Sequence, residues 1–262
     1  MSQGSGAVLE ERGAVAILRL DRPEVHNVVA LDTITRLEAL LDRLDAAPDL
    51  RVLILTGAGE KTFCAGSDLA DLAPLVDAGP EERRTALEMS PRMGAILDRL
   101  EAGPWATIAA LNGSVYGGGC ELMTACHLRI GATGSRFSFR QAAMGVSTGW
   151  GGGLRLFRLL GRSRALRLLL TADTVEAEEA LELGLIDFLV PPERVLDEAL
   201  ALADRIAANA RESVAAFLQL ARAADQEPHH SARALERRLF ADRWQDEVFW
   251  QRVADWRDRR SQ

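Results

Sequence analysis

Residues 110–130 read ALNGSVYGGGCELMTACHLRI, and three consecutive glycines, Gly117 to Gly119, stand two residues ahead of a carboxylate, Glu121. Ordering glycine costs conformational entropy, so a triple marks backbone that must approach something closely or adopt torsions a Cβ forbids. Upstream, WATIAALNG (Trp105 to Gly113) has the length and composition of a buried strand; downstream, HLRIGA is another. Between them the glycines open a helix near Gly118. A helix N-terminus after a strand and loop presents unpaired amides and the positive end of the helix dipole, which suits an anion or an oxyanion. On this fragment alone, tight strand–helix packing explains the glycines equally well.

The same alternation runs outward in both directions. AVAILRL (Ala14 to Leu20) is β-like and ends at Pro23, and Leu31, Ile34, Leu37, Leu41 and Leu44 fall on one helical face. RVLILTG (Arg51 to Gly57) reads as a buried strand, and a helix is expected over Glu81 to Leu100. RFSF adds a short strand, GGGLRLFRLLG and SRALRLLLT are helical, and IDFLV (Ile186 to Val190) is a last strand before Pro191 and Pro192. This spacing predicts an α/β fold with largely parallel pairing. KTFCAGSDLADL (Lys61 to Leu72) is a second Ala-Gly turn into a helix and offers the amide of Ser67. Two such turns after adjacent strands aim their amides at one oxygen.

Beyond the two prolines the pattern turns wholly helical, so residues 1–190 are expected to form the core and 191–262 a helical region. The C-terminal end carries Trp244, Phe249, Trp250 and Trp256, more aromatic surface than one terminal helix buries. It packs either on its own core or on a neighbouring subunit. His229 and His230 mark a helix start.

With 31 basic and 38 acidic residues the formal charge is −7, and no long basic run suggests nucleic acid or an anionic membrane. No apolar stretch approaches the roughly 20 residues a bilayer requires, and the N-terminus has no secretory pattern, so a cytoplasmic location is expected. Cys64, Cys120 and Cys126 lack CxxC spacing and sit in apolar or glycine-rich stretches, as reduced buried thiols do. The histidines and cysteines show no metal-ligand spacing, so no metal is expected. Both nucleotide motifs fail: GSVYGGG is not G-x-G-x-x-G, and GAGEKT has Glu60 where the P-loop pattern requires glycine.

Six segments in order, RPEVHNVVALDTI, RVLILTGAGEKTFCAGSDL, ALNGSVYGGGCELMTACHLRI, AMGVSTGWGGGLRL, GRSRALRLLLTADTVEAEEALELGLID and the aromatic C-terminal helix, cover nearly the whole chain. Together they resemble the crotonase superfamily, the enoyl-CoA hydratase/isomerase family. The resemblance implies an α/β crotonase-like spiral of ββα repeats with a C-terminal helical region, assembled as a homotrimer or dimer of trimers. It implies an acyl-CoA substrate, with coenzyme A as part of that substrate and no separate cofactor. It places the thioester oxygen on the amides of Ser67 and Gly118, and the first of the family's two glutamates at Glu121. His26, Ala65, Asp68 and Leu69 fall where the family contacts coenzyme A, and Gly149 and Trp150 where its loop lines the acyl pocket. His26 reads equally as a turn residue and Trp150 as core.

The family's second glutamate position falls on Gln141. An amide can orient water but cannot exchange a proton near neutral pH. That departure resembles the ethylmalonyl-CoA and methylmalonyl-CoA decarboxylase branch. There, loss of CO₂ from a malonyl-type thioester generates the enolate directly, with Glu121, Gln141 or an oriented water returning a proton and Arg140 attracting the substrate carboxylate. Arg140 also reads as an ordinary surface arginine. The expectation is therefore a decarboxylase or related lyase. Its alternatives are an enoyl-CoA hydratase using Glu121 with an oriented water and a non-catalytic acyl-CoA-binding subunit.

Overall fold

Six strands make the larger sheet in the order β1 (Gly6–Arg12), β2 (Val15–Asp21), β3 (Val52–Gly57), β5 (Ala106–Leu111), β7 (Leu128–Ala132), β10 (Phe188–Val190). Within this sheet the β1–β2 hairpin is the only antiparallel pair among the described residues. A smaller sheet takes β4 (Thr62–Cys64), β6 (Ser114–Tyr116), β8 (Arg136–Ser138) and β9 (Val175–Glu176). The pairs β3/β4, β5/β6 and β7/β8 each lay one strand in each sheet, so the chain winds as a spiral of ββα turns. The computed structural model describes residues 6–82 and 87–251.

Alternation along the buried strands feeds two cores, and this is why they read as continuous apolar runs. Leu53 and Leu55 of β3 face the larger core, with Ile34, Leu37, Leu41 and Leu44 of helix Leu31–Asp45 and Ile96, Leu97 and Leu100 of helix Met89–Ala102. Val52 and Ile54 point the other way, onto Ile17, Ile108 and Ile130 and onto helix Val195–Ala207. That helix offers Ala199 and Ala203, both fully buried, which let its backbone lie close to the sheet. The first helix after the two prolines is thus part of the core, and helices Arg211–Gln226 and His229–Trp244 follow it without an intervening strand.

The structure adds one strand and corrects two sequence expectations. The added strand is β1 from Gly6, pinned by a full antiparallel register against β2. The helix expected over Glu81 to Leu100 is interrupted: residues 80–82 are helical, a turn stands at 87–88 and helix Met89–Ala102 starts after it; residues 83–86 of that expectation lie outside the described residues. The last amphipathic run breaks at Gln245, where Asp246 Oδ1 accepts the Val248 amide at 3.0 Å and so caps a new helical segment. Around this break Phe240, Trp244, Phe249 and Trp250 stack with ring centroids 5.0 to 5.6 Å apart, while Trp244 and Trp250 stay about half exposed. Trp256 lies outside the described residues.

Candidate functional site

The two glycine turns meet. Past β4, Gly66 takes φ +91°, and a Cβ there would stand 2.7 Å from the Gly118 nitrogen, so the Ala65–Ser67 turn lies directly against the start of helix Gly118–Thr124. A parallel bridge holds this turn: the Val29 amide donates to the Gly66 carbonyl at 2.8 Å and the Asp68 amide to the Val29 carbonyl at 2.9 Å. The amide of Ser67 between them has no acceptor among the described residues, nor has that of Gly118. Each glycine of the triple then has its own reason. Gly117 sits at φ +53°, ψ −122°, a conformation L side chains avoid. A Cβ on Gly118 would stand 2.5 Å from the Trp150 ring, and one on Gly119 would stand 2.2 Å from the Cys64 carbonyl oxygen.

Glu121, one turn into that helix and 2% exposed, has its carboxylate gripped by four donors. Oε2 accepts the amides of Trp150 at 2.8 Å and Gly152 at 3.0 Å; Oε1 accepts Gln141 Nε2 at 3.0 Å and the Gly149 amide at 3.3 Å. Gly152 must be glycine, because a Cβ there would fall 2.4 Å from Glu121 Cβ. A carboxylate only accepts, so Gln141 must turn its NH₂ toward it. The amide oxygen, Oε1, is left buried without a partner among the described residues. Charge-assisted bonds of this kind are about twice as strong as neutral ones and hold the side chain in one rotamer.

Ser67, Gly118, Glu121 and Gln141 line one cavity of about 280 Å³, whose walls include Leu72, Met89, Gly149 and Trp150. Its described lining contains no cationic side chain. A larger groove of about 640 Å³ between helices Arg211–Gln226 and His229–Trp244 has no comparable convergence of free amides and a carboxylate. Two acceptors, two free donors and an apolar wall can bind a polarised carbonyl, hold a water and move a proton.

The other residues singled out in the sequence are placed differently. In the turn after β8, Phe139 and Gln141 are buried, while Arg140 between them is exposed and does not line the cavity. Asp68 accepts the Ala70 amide as N-cap of helix Leu69–Leu72 and pairs with Arg22 at 2.8 Å, so both its oxygens are engaged within the protein. His26 is exposed at φ 61° with Nδ1 3.0 Å from Thr62 Oγ1; Ala65 is half-buried and Leu69 exposed. Gly152 was missed, although the second triple Gly151 to Gly153 was a visible signal. Asn27 was also missed: buried at φ 54°, it donates to the Ala58 and Thr62 carbonyls and steadies the turn leading to β4. No motif announced it.

All three cysteines are free and buried; burial pushes the Cys64 and Cys126 thiols up to about 12 and that of Cys120 further in the same direction. Among the described residues no group of three or more His, Cys, Asp or Glu could hold a metal, and no helix is long and apolar enough to cross a membrane.

The sequence model of the family described as Enoyl-CoA hydratase/isomerase matches residues 10–260. The chain is 33% identical over 210 residues to the short-chain-enoyl-CoA hydratase of Clostridium acetobutylicum, covering 80% of this chain and 78% of that one. It is 36% identical over 214 residues to the (E)-benzylidenesuccinyl-CoA hydratase of Thauera aromatica, covering 81% and 80%. The crystal structure of an enoyl-CoA hydratase from Bacillus anthracis superposes with a TM-score of 0.89 at 29% identity, covering 97% of this chain and 96% of that one.

Proposed function

We infer the reaction from one premise: the chain belongs to the enoyl-CoA hydratase/isomerase family. The protein adds water across the double bond of a 2-enoyl-CoA thioester, or removes it in reverse. The observation that carries this reading is the Glu121 carboxylate lining one cavity with the two free amides, with Gln141 Oε1 beside it, buried and unpartnered.

A water donating one O–H to Glu121 and the other to Gln141 Oε1 has its lone pair left for the β-carbon. As it attacks, negative charge moves onto the thioester oxygen, where the Ser67 and Gly118 amides receive it; one such preorganised donor is worth about 2.7–4 kcal/mol in other enzymes. Glu121 takes the water proton and returns it to the α-carbon as the enolate collapses, so both hydrogens of the water end on the product. Gln141 orients the water and never carries a proton. Coenzyme A enters and leaves as part of the substrate.

Decarboxylation of a malonyl-type thioester fits less well. A second carboxylate would enter a cavity whose described lining holds no cation and already contains Glu121. The named relatives are hydratases. The test is a mass-spectrometric assay of the purified protein on crotonyl-, methylmalonyl- and ethylmalonyl-CoA, with Glu121→Gln as control. A gain of water that the variant loses supports hydration; loss of CO₂ without hydration overturns it.

A further inference from the structure

We propose that Arg155 is a positioning residue for this site, holding the backbone that grips Glu121 while touching no ligand itself. The inference rests on the reading of Glu121 as the proton-carrying group. Segment 149–152 is a two-sided strip. Its amides at Gly149, Trp150 and Gly152 face Glu121. Its carbonyls at Gly149 and Trp150 face away: the first accepts Ser90 Oγ at 2.5 Å, the second Arg155 Nη1 at 3.4 Å. The guanidinium also lies flush against the next residue. Gly151 holds φ +86°, and a Cβ there would be 2.8 Å from Arg155 Nη1.

The remaining nitrogens of Arg155 reach helix Met89–Ala102. Nε donates to Glu101 Oε2 at 2.9 Å and Nη2 to Asp98 Oδ1 at 2.6 Å, with Glu101 Oε2 2.8 Å from Nη2. One side chain thereby ties two helices together. The first, Met89–Ala102, supplies Met89 and Ser90 to the cavity wall; the second, Gly152–Leu160, begins with the amide on Glu121. Arg155 is not among the cavity's lining residues.

A purely structural role would be an odd use of this residue. A cation near a helix N-terminus opposes the dipole, and burying it to 7% exposure carries a desolvation cost that an apolar side chain would avoid. What arginine adds is a rigid planar fork that meets a carbonyl and two carboxylates in fixed directions. Departures from local rules of this kind are expected where geometry serves function.

The test replaces Arg155 by Met and by Lys and reads two quantities. The first is the split between kcat and KM for crotonyl-CoA hydration: kcat is expected to fall about 10–100-fold in Arg155→Met, as for a misplacement of catalytic geometry, with KM within about twofold. Lysine, lacking the fork, is expected to recover less than half of the loss. The second needs no turnover. In ¹⁵N-tryptophan-labelled protein the Trp150 amide, assigned by its loss in Trp150→Phe, should move upfield in Arg155→Met as its bond to Glu121 lengthens. A folded Arg155→Met with kcat within twofold of wild type, or with an unmoved Trp150 amide, overturns the proposal. If Arg155→Met does not fold, Glu101→Ala removes the acceptor shared by two of its nitrogens and is expected to shift both readouts in the same direction; no shift there overturns it. A wild type that does not hydrate crotonyl-CoA would sink the hydratase reading, while the amide signal would still decide the role of Arg155.

Discussion

Gln141→Glu introduces a carboxyl where an amide nitrogen now stands 3.0 Å from Glu121 Oε1. Two unit charges at that separation repel by about 5.5 kcal/mol at an effective dielectric of about 20. That corresponds to about 4 pH units, so near neutrality the two carboxyls share one proton. The hydrogen bond between the positions survives, because the protonated carboxyl donates where the amide did. The cavity also gains a group that can hand a proton to the α-carbon while the other takes one from water. Positioned general acid–base catalysis is worth about 10²–10⁴-fold, so kcat for crotonyl-CoA should rise by about 10² or more, with KM changed by less than about threefold. The assay follows loss of the conjugated thioester absorbance at pH 7, with a parallel melting curve. A Gln141→Glu protein that melts like wild type yet hydrates no faster would refute the reasoning, because it would mean that position 141 is not where a proton is lacking.

Gly118→Ala forces a methyl to within 2.5 Å of the Trp150 ring; overpacking of this kind costs about 1–3 kcal/mol, so Tm should fall by about 2–6 °C and hydration should drop as the indole is displaced. An unchanged Tm and kcat would show that Trp150 has room to move. Burial lowers the pKa of His127 below its usual 6.5, and the Thr107 amide donates to its Nδ1 at 3.0 Å, a bond that imidazolium cannot accept. The folded state therefore binds this proton less readily than the unfolded chain, so the stability is complete above about pH 6.5 and is lost as pH falls below it. Urea midpoints at pH 7.5 and pH 5.0 should differ more in wild type than in His127→Gln; equal differences would remove His127 from the account.

Much of the fold was legible because strands buried on both faces advertise themselves. VLILTG and ATIAAL are apolar but for one threonine each, and glycine or proline punctuates most strand–helix junctions. The three-residue strands β4 and β6 were not read, since so short a run shows no period of its own and gains its place from a neighbouring strand; β8, in RFSF, was. The break at Gln245 was hidden for a similar reason: Asp246 caps a new segment within a run whose apolar spacing continues through it.

Strand–helix alternation and the two glycine turns at Ser67 and Gly118 were legible in the sequence by itself, because they depend on local torsions, whereas the spiral and the pairing of Glu121 with Gln141 entered as what the family resemblance implies. The sequence could not show which way Gln141 turns or what Glu121 touches. The partners arrive from 20 to 31 residues along the chain, and the direction of each bond follows from a carboxylate's inability to donate. Only the tertiary structure separated Arg140 from the cavity, spent Asp68 on a cap and an ion pair, and set Arg155 behind the strip that holds Glu121. Those outcomes depend on which face of each element meets which neighbour, and that is settled by packing across the whole spiral.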